Sequence, residues 1–138
     1  DLFLAGEDWQ NPGGKTFAQI HWTGSGADAT AKITIVARNQ AEWKNLWART
    51  KTEPPGPLPN GKMGVGVLLG QRPNPGYRVA ITKAGREFTF GQVERLVVEY
   101  REYKPEAGKA YPQKLASPWA IRLADFSMNE VVFNEVEK

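Results

Sequence analysis

The 138-residue sequence contains no cysteine. That excludes disulfides, thiol catalysis and thiolate metal sites together. It leaves the compartment open, because many exported bacterial domains also lack cysteine. Only one histidine is present, His21. A zinc site would therefore have a single imidazole and no thiolate to draw on. No loop is dense enough in Asp, Asn and Glu to suggest calcium. No apolar run approaches the ~20 residues that cross a bilayer as a helix. Asp1 opens the chain with no signal-peptide pattern after it, which fits either a trimmed piece or a mature exported form. Blocks of like charge are missing too. The 18 basic and 15 acidic residues are interleaved and leave a net charge of +3. Without a polybasic stripe to follow phosphates, the reading is against nucleic acid.

What is present is a strand-rich pattern. A chain of this length fits one domain over 1–138, able to bury about two thirds of its surface without staples. Thr16 to Trp22 alternates as a strand, Thr23 to Asp28 with its Gly-Ser-Gly reads as a hairpin loop, and Ala31 to Arg38 reads as the partner strand. One helix is expected over about 40–50. Asn39 is its N-cap, Glu42 completes a capping-box pattern, and Trp43, Leu46, Trp47 and Thr50 form one face. Pro54, Pro55, Pro57 and Pro59 then stop the helix and make an extended connector. Asn60-Gly61 marks a turn. Met63 to Leu69 reads as a strand buried on both faces, and Gly64 and Gly66 imply a backbone packed against something bulky.

Further strands follow. Tyr77, Val79 and Ile81 alternate, Ala84-Gly85 reads as a turn, and Glu87 to Phe90 as the return. Gln92 to Tyr103 is a long strand, Trp119 to Leu123 alternates again, and Val131 to Val136 closes the set. About eight strands and one helix make an α+β, mainly β, fold: a small barrel-like or sandwich antiparallel sheet with one amphipathic helix. If 92–103 lies at an edge it could pair between copies, which would make a homodimer.

Catalytic constellations are scarce. A Ser-His-Asp triad would need His21 with Ser25, Ser117 or Ser127, and none of these serines sits in a Gly-x-Ser-x-Gly elbow. Beside this stands the plainer reading of a half-buried imidazole in a strand. Gly64-x-Gly66-x-x-x-Gly70 lacks both the following helix and the Gly-Lys-Ser/Thr ending of a phosphate loop. No cofactor is implied. Trp43 and Trp47 read as core, Trp22 as core or rim, and Trp9 as open to exposure. The most unusual stretch is Arg72-Pro73-Asn74-Pro75-Gly76-Tyr77. Two prolines stiffen it, and a loop ordered in advance loses less entropy on binding. Arg and Tyr are also favoured at interfaces. The alternative is a well-made connection with Tyr77 pointing inward. Ser117-Pro118-Trp119 opens a strand, where Trp119 could serve packing or recognition. Candidate binding residues are therefore Arg72, Asn74, Pro75, Gly76, Tyr77, Pro118 and Trp119.

Several of these segments, in this order, resemble the PrcB C-terminal family. The matching features are Trp43, Leu46 and Trp47 on the helix, Leu69-Gly70 ending an apolar strand, Gly76-Tyr77 ending a loop, and Ser117-Pro118-Trp119. The resemblance spans about 32–136. Where the family loop usually reads Thr-Gly-Gly-Tyr, this one reads Asn74-Pro75-Gly76-Tyr77. The resemblance implies a bacterial, extracytoplasmic domain that is periplasmic, cell-surface or secreted. It also implies a non-catalytic accessory role with a protein partner, such as a protease. A second likeness is to chagasin-type protease inhibitors, through the same two loops. Here Asn74-Pro75-Gly76-Tyr77 is two residues shorter than their loop, and Ser117-Pro118-Trp119 lacks their arginine. That likeness implies an inhibitor presenting 72–77 and 117–119.

Overall fold

The computed structural model describes residues 19–88 and 94–137. Its elements run β1 (His21–Gly24), β2 (Ile33–Ala37), α1 (Gln40–Arg49), β3 (Lys62–Leu68), β4 (Arg78–Glu87), β5 (Arg95–Tyr103), β6 (Trp119–Asp125) and β7 (Val131–Glu135). One sheet has the order β1-β6-β3-β2 and the other β4-β5-β7. The result is a mainly β sandwich without a closed barrel, backed by one helix.

Strand β3 shows how the layers are built. Side chains alternate across a strand. Met63, Val65, Val67 and Leu69 enter the core between the sheets, where they meet Val79, Ile81, Leu96 and Val98. The other face carries Gly64 and Gly66 and belongs to the helix. A Cβ on Gly64 would lie 2.7 Å from the Trp43 ring, and one on Gly66 would lie 2.7 Å from Leu46. The bulky neighbour expected from the glycines is thus α1. Strand β6 divides its residues in the same way. Trp119, Ile121 and Leu123 join the helix-side core, while Ala120 and Ala124 join the inter-sheet core.

The helix begins as its capping residues dictate. The Asn39 side chain accepts from Glu42 N at 2.8 Å. The Glu42 carboxylate accepts from Arg38 N, one residue before the cap, at 2.8 Å. At the far end Thr50 closes the last turn, and Lys51 adopts a left-handed φ of 59°. The proline-rich connector then folds back on the helix. Gln40 brackets Leu58 through both main-chain groups, and Trp43 Nε1 donates to Gly56 O at 2.9 Å.

The structure changes several expectations. β1 pairs with β6, not with β2. The Gly-Ser-Gly segment is no hairpin, because Ala27 and Ala29 are buried in the helix-side core. Asp28 N also bonds to Arg49 O at 2.9 Å. These contacts carry the chain past the end of α1 to the opposite edge of the sheet. Residues 16–18 of the expected first strand lie outside the described residues, as does Trp9. Ala84-Gly85 is no turn either. β4 runs through it and absorbs an irregularity between Ile81 and Lys83 as a bulge. Of the expected return strand, 89 and 90 lie outside the described residues, and so does the start of the strand expected at 92. Seven strands are found among the described residues. Pairing is not wholly antiparallel, since β5 and β7 run parallel. β5 lies between β4 and β7. It is not an edge, so it gives no support to a homodimer.

Candidate functional site

The loop after β3 is held from three sides. Arg72 and Ala116 exchange main-chain bonds at 2.8 and 2.9 Å, so the loop lies against the segment leading to Pro118 and Trp119. The Arg72 guanidinium pairs with Glu102 through Nε–Oε2 at 2.7 Å and Nη2–Oε1 at 3.2 Å. Its Nη1 also donates to the carbonyls of Leu69 and Gln71. The pair is largely shielded, with side chains 24% and 18% exposed. The hydrogen bonds from Arg72 hold the Glu102 carboxyl below its ordinary value and raise the guanidinium in turn. Further along, Asn74 Oδ1 accepts from Gly76 N at 2.8 Å, which forms an Asx turn. Gly76 is buried, and a Cβ there would come within 2.9 Å of Pro105 and Tyr111. Only glycine lets the loop lie this close.

The expected site residues thus fall into two groups. Arg72, Asn74, Pro75, Gly76 and Tyr77 form one braced loop at an end of the sandwich, with Tyr77 half-buried. Pro118 and Trp119 lie beside it in the chain path but inside the molecule. Pro118 O accepts from Leu69 N at 2.9 Å. Trp119 is 4% exposed and meets Trp47 edge to face at 5.5 Å. Trp119 thus serves packing in the helix-side core.

The structure adds residues that the sequence did not single out. Tyr103 lies between the guanidiniums of Arg78 and Arg101, each 5.0 Å from its ring. Arg78 and Tyr103 are register partners. Leu115, 64% exposed, sits one residue before the Ala116 bridge. The Arg101-x-Tyr103 spacing is the one sequence signal, since it puts both residues on one face of a strand. The partnership of Arg72 with Glu102, 30 positions away, has no local sign.

His21 has a different place. Ile81 N donates to its Nε2 at 3.1 Å, and Arg122 donates to Ile81 O at 3.0 Å. His21 and Arg122 are themselves cross-strand partners. Together they hold both main-chain groups of Ile81, beside the bulge in β4, and so tie the two sheets together. Burial first, and the Arg122 charge second, push the imidazole below its ordinary value. The ring is therefore neutral, with its Nε2 lone pair already used. No cluster of metal-ligating side chains occurs among the described residues. No helix among them is long and apolar enough to cross a membrane.

The architecture defines a helix-backed β-sandwich with a braced loop at one end. Residues 63–122, from β3 into β6, match the family model described as PrcB C-terminal. The likeness read from the sequence therefore holds for the segment that contains both candidate loops. The Trp43-Leu46-Trp47 face lies outside the matched span. No curated protein and no solved structure matches the chain.

Proposed function

We propose that this chain is a non-catalytic interaction domain that assists a protein partner, namely a protease assembled outside the cytoplasm. The carrying observation is the PrcB C-terminal match over 63–122, which covers the braced loop. The contact surface in this reading is that loop with its surroundings. Pro73, Asn74, Pro75 and Tyr77 supply the loop, Leu115 an exposed apolar contact, and Arg78, Arg101 and Tyr103 the adjoining face. Arg72, Gly76 and Pro118 hold the loop from behind. Tyrosine and arginine on a preordered frame are what a compact interface favours.

A photo-crosslinking residue in place of Tyr77 tests this, with one in place of the exposed Lys44 as control. Envelope and medium fractions of the source organism are then read by mass spectrometry. The expected result is a protease joined at position 77 and not at 44. Absence of any product specific to 77 would overturn the reading.

The inhibitor alternative draws on the stiffness of 72–77, set by the Asx turn and the Arg72–Glu102 pair. Because Pro118 and Trp119 are buried, it rests on one loop instead of two. A panel of cysteine and serine proteases unaffected by micromolar protein would remove it.

A further inference from the structure

Among the described residues strand β1 forms one edge of its sheet, and its outer side borders a groove. Antiparallel ladders alternate bonded and non-bonded pairs. Leu123 N donates to Ile20 O at 2.9 Å, so in the register His21↔Arg122 to Gly24↔Trp119 the bonded residues of β1 are Trp22 and Gly24. The main-chain groups of His21 and Thr23 therefore point away from the sheet. Gln19 Nε2 takes the His21 carbonyl at 2.8 Å. Among the described residues nothing bonds to His21 N–H, Thr23 N–H or Thr23 C=O. Their spacing along an extended strand is the repeat of another extended strand.

The groove has a volume of ≈ 670 Å³ and runs from β1 to the C-terminal end of α1. Trp22, Trp47 and Trp119 give it apolar wall, while Lys51 and Glu53 stand at its rim with opposite charges. Trp47 is 2% exposed, yet among the described residues its indole Nε1–H has no acceptor. A buried donor left without an acceptor is a costly arrangement, and a ligand oxygen would relieve it.

We propose that this edge and groove bind an extended, uncharged peptide segment of a partner protein. The segment adds as a strand beside β1 and places an Asn or Gln side chain in the groove, its carbonyl oxygen accepting from Trp47 Nε1–H. Each feature selects part of that ligand. The outward N–H groups of His21 and Thr23 and the Thr23 C=O match a peptide backbone, the common mode of strand addition. Balanced charge at the rim matches an uncharged segment. A carboxylate is disfavoured at the negative end of α1, and a hydrocarbon side chain would leave the indole unpaired. A sugar could reach the indole but would not match the strand edge. The site is separate from the loop 72–77 and stands without it.

The test uses the full chain labelled with nitrogen-15 and titrated with blocked heptapeptides of Thr, Ser and Val around a central Gln. The Trp47 indole and Thr23 amide resonances should shift together and exchange more slowly with solvent. Changing the central Gln to Leu should weaken binding about tenfold. N-methylation of the alternate amides that face β1 should abolish binding, and methylation of the other set should not. Thr23→Pro deletes an outward N–H and fixes φ, which an edge strand tolerates, so it should keep the fold and lose binding about tenfold, while Thr23→Val keeps both. If Thr23→Pro unfolds, the methylated peptides decide on the unaltered chain. The proposal is overturned by three results: no joint shift with the Gln peptide at millimolar concentration, equal binding of both methylated sets, or a trisaccharide of N-acetylglucosamine shifting these resonances where the peptide does not.

Discussion

The two faces of the β1-β6-β3-β2 sheet solve the packing problem in opposite ways. Towards α1 the core is aromatic and uneven. Trp22, Trp43, Trp47 and Trp119 meet edge to face at centroid distances of 5.5 to 6.3 Å, and Gly64 and Gly66 make room beneath the helix. Towards the second sheet the core is mainly aliphatic and more even, with Met63, Val65, Val67, Ile81, Leu96 and Val98 in alternating positions and Tyr100 as its one buried ring among the described residues. A helix crossing a sheet leaves gaps of variable depth, which few large rings fill against bare backbone. Two sheets face each other at a nearly constant spacing of about 10 Å, which many mid-sized side chains fill. Large rings concentrate stability in few residues, whereas repeated aliphatic contacts distribute it.

Truncation should separate the two layers most clearly. Trp43→Ala is expected to cost about 3–5 kcal/mol. It removes a ring 1% exposed and the bond to Gly56 O. Leu96→Ala in the other layer should cost about 2–5 kcal/mol, and less than Trp43→Ala if the rings concentrate stability. Urea unfolding of both variants decides the point, and equal costs would break the contrast. Gly64→Ala comes next, at about 1–3 kcal/mol, because its methyl group would press on Trp43. Combining it with Trp43→Ala should recover part of that loss, and strict additivity of the two would show that they do not touch. Arg72→Ala should cost about 1–2 kcal/mol at neutral pH, an amount discounted for partial exposure. Glu102 has a depressed folded-state value, so its contribution is present above the ordinary carboxylate range and is lost as pH falls. The wild type and variant should converge in melting temperature in acid.

The smallest effect concerns the link between the layers. The folded-state value of His21 lies below its ordinary 6.5. Between the two values the unfolded chain binds more protons, so stability is complete above about 6.5 and declines as pH drops below it. His21→Gln should flatten the melting temperature between about pH 7 and pH 5. Since His21 is the sole histidine, an unchanged slope would place its origin in the carboxylates.

The same contrast explains what could be read from the residues in order. The helix was legible because Asn39, Glu42 and the Trp43-Leu46-Trp47 spacing act locally. So was the two-sided burial of β3, because its glycines and valines alternate. Pairing partners were not legible. Nothing near Gly24-Ser25-Gly26 signals that Ala27 and Ala29 bury under the helix, which separates β1 from β2. The partners of Ile81 beside the bulge in β4, His21 and Arg122, lie 60 and 41 positions away. For the site, the stiffness of 72–77 was visible in its prolines. The burial of Pro118 and Trp119 was not, because an aromatic at a strand start gives no sign of which layer will claim it.

The parallel pairing of β5 and β7 has a kinetic consequence. A parallel partner cannot arrive through a tight hairpin. Between the two strands the chain leaves for the other sheet, lays down β6 between β1 and β3, and returns. β6 must in turn pair with β1, about a hundred positions earlier. Few of these contacts can form before distant parts of the chain have met, so loop-closure entropy is lost before much is gained. The domain should therefore fold in the millisecond-to-second range typical of high contact order. Until β7 docks, the edge of β5 that pairs with it stands open to other chains.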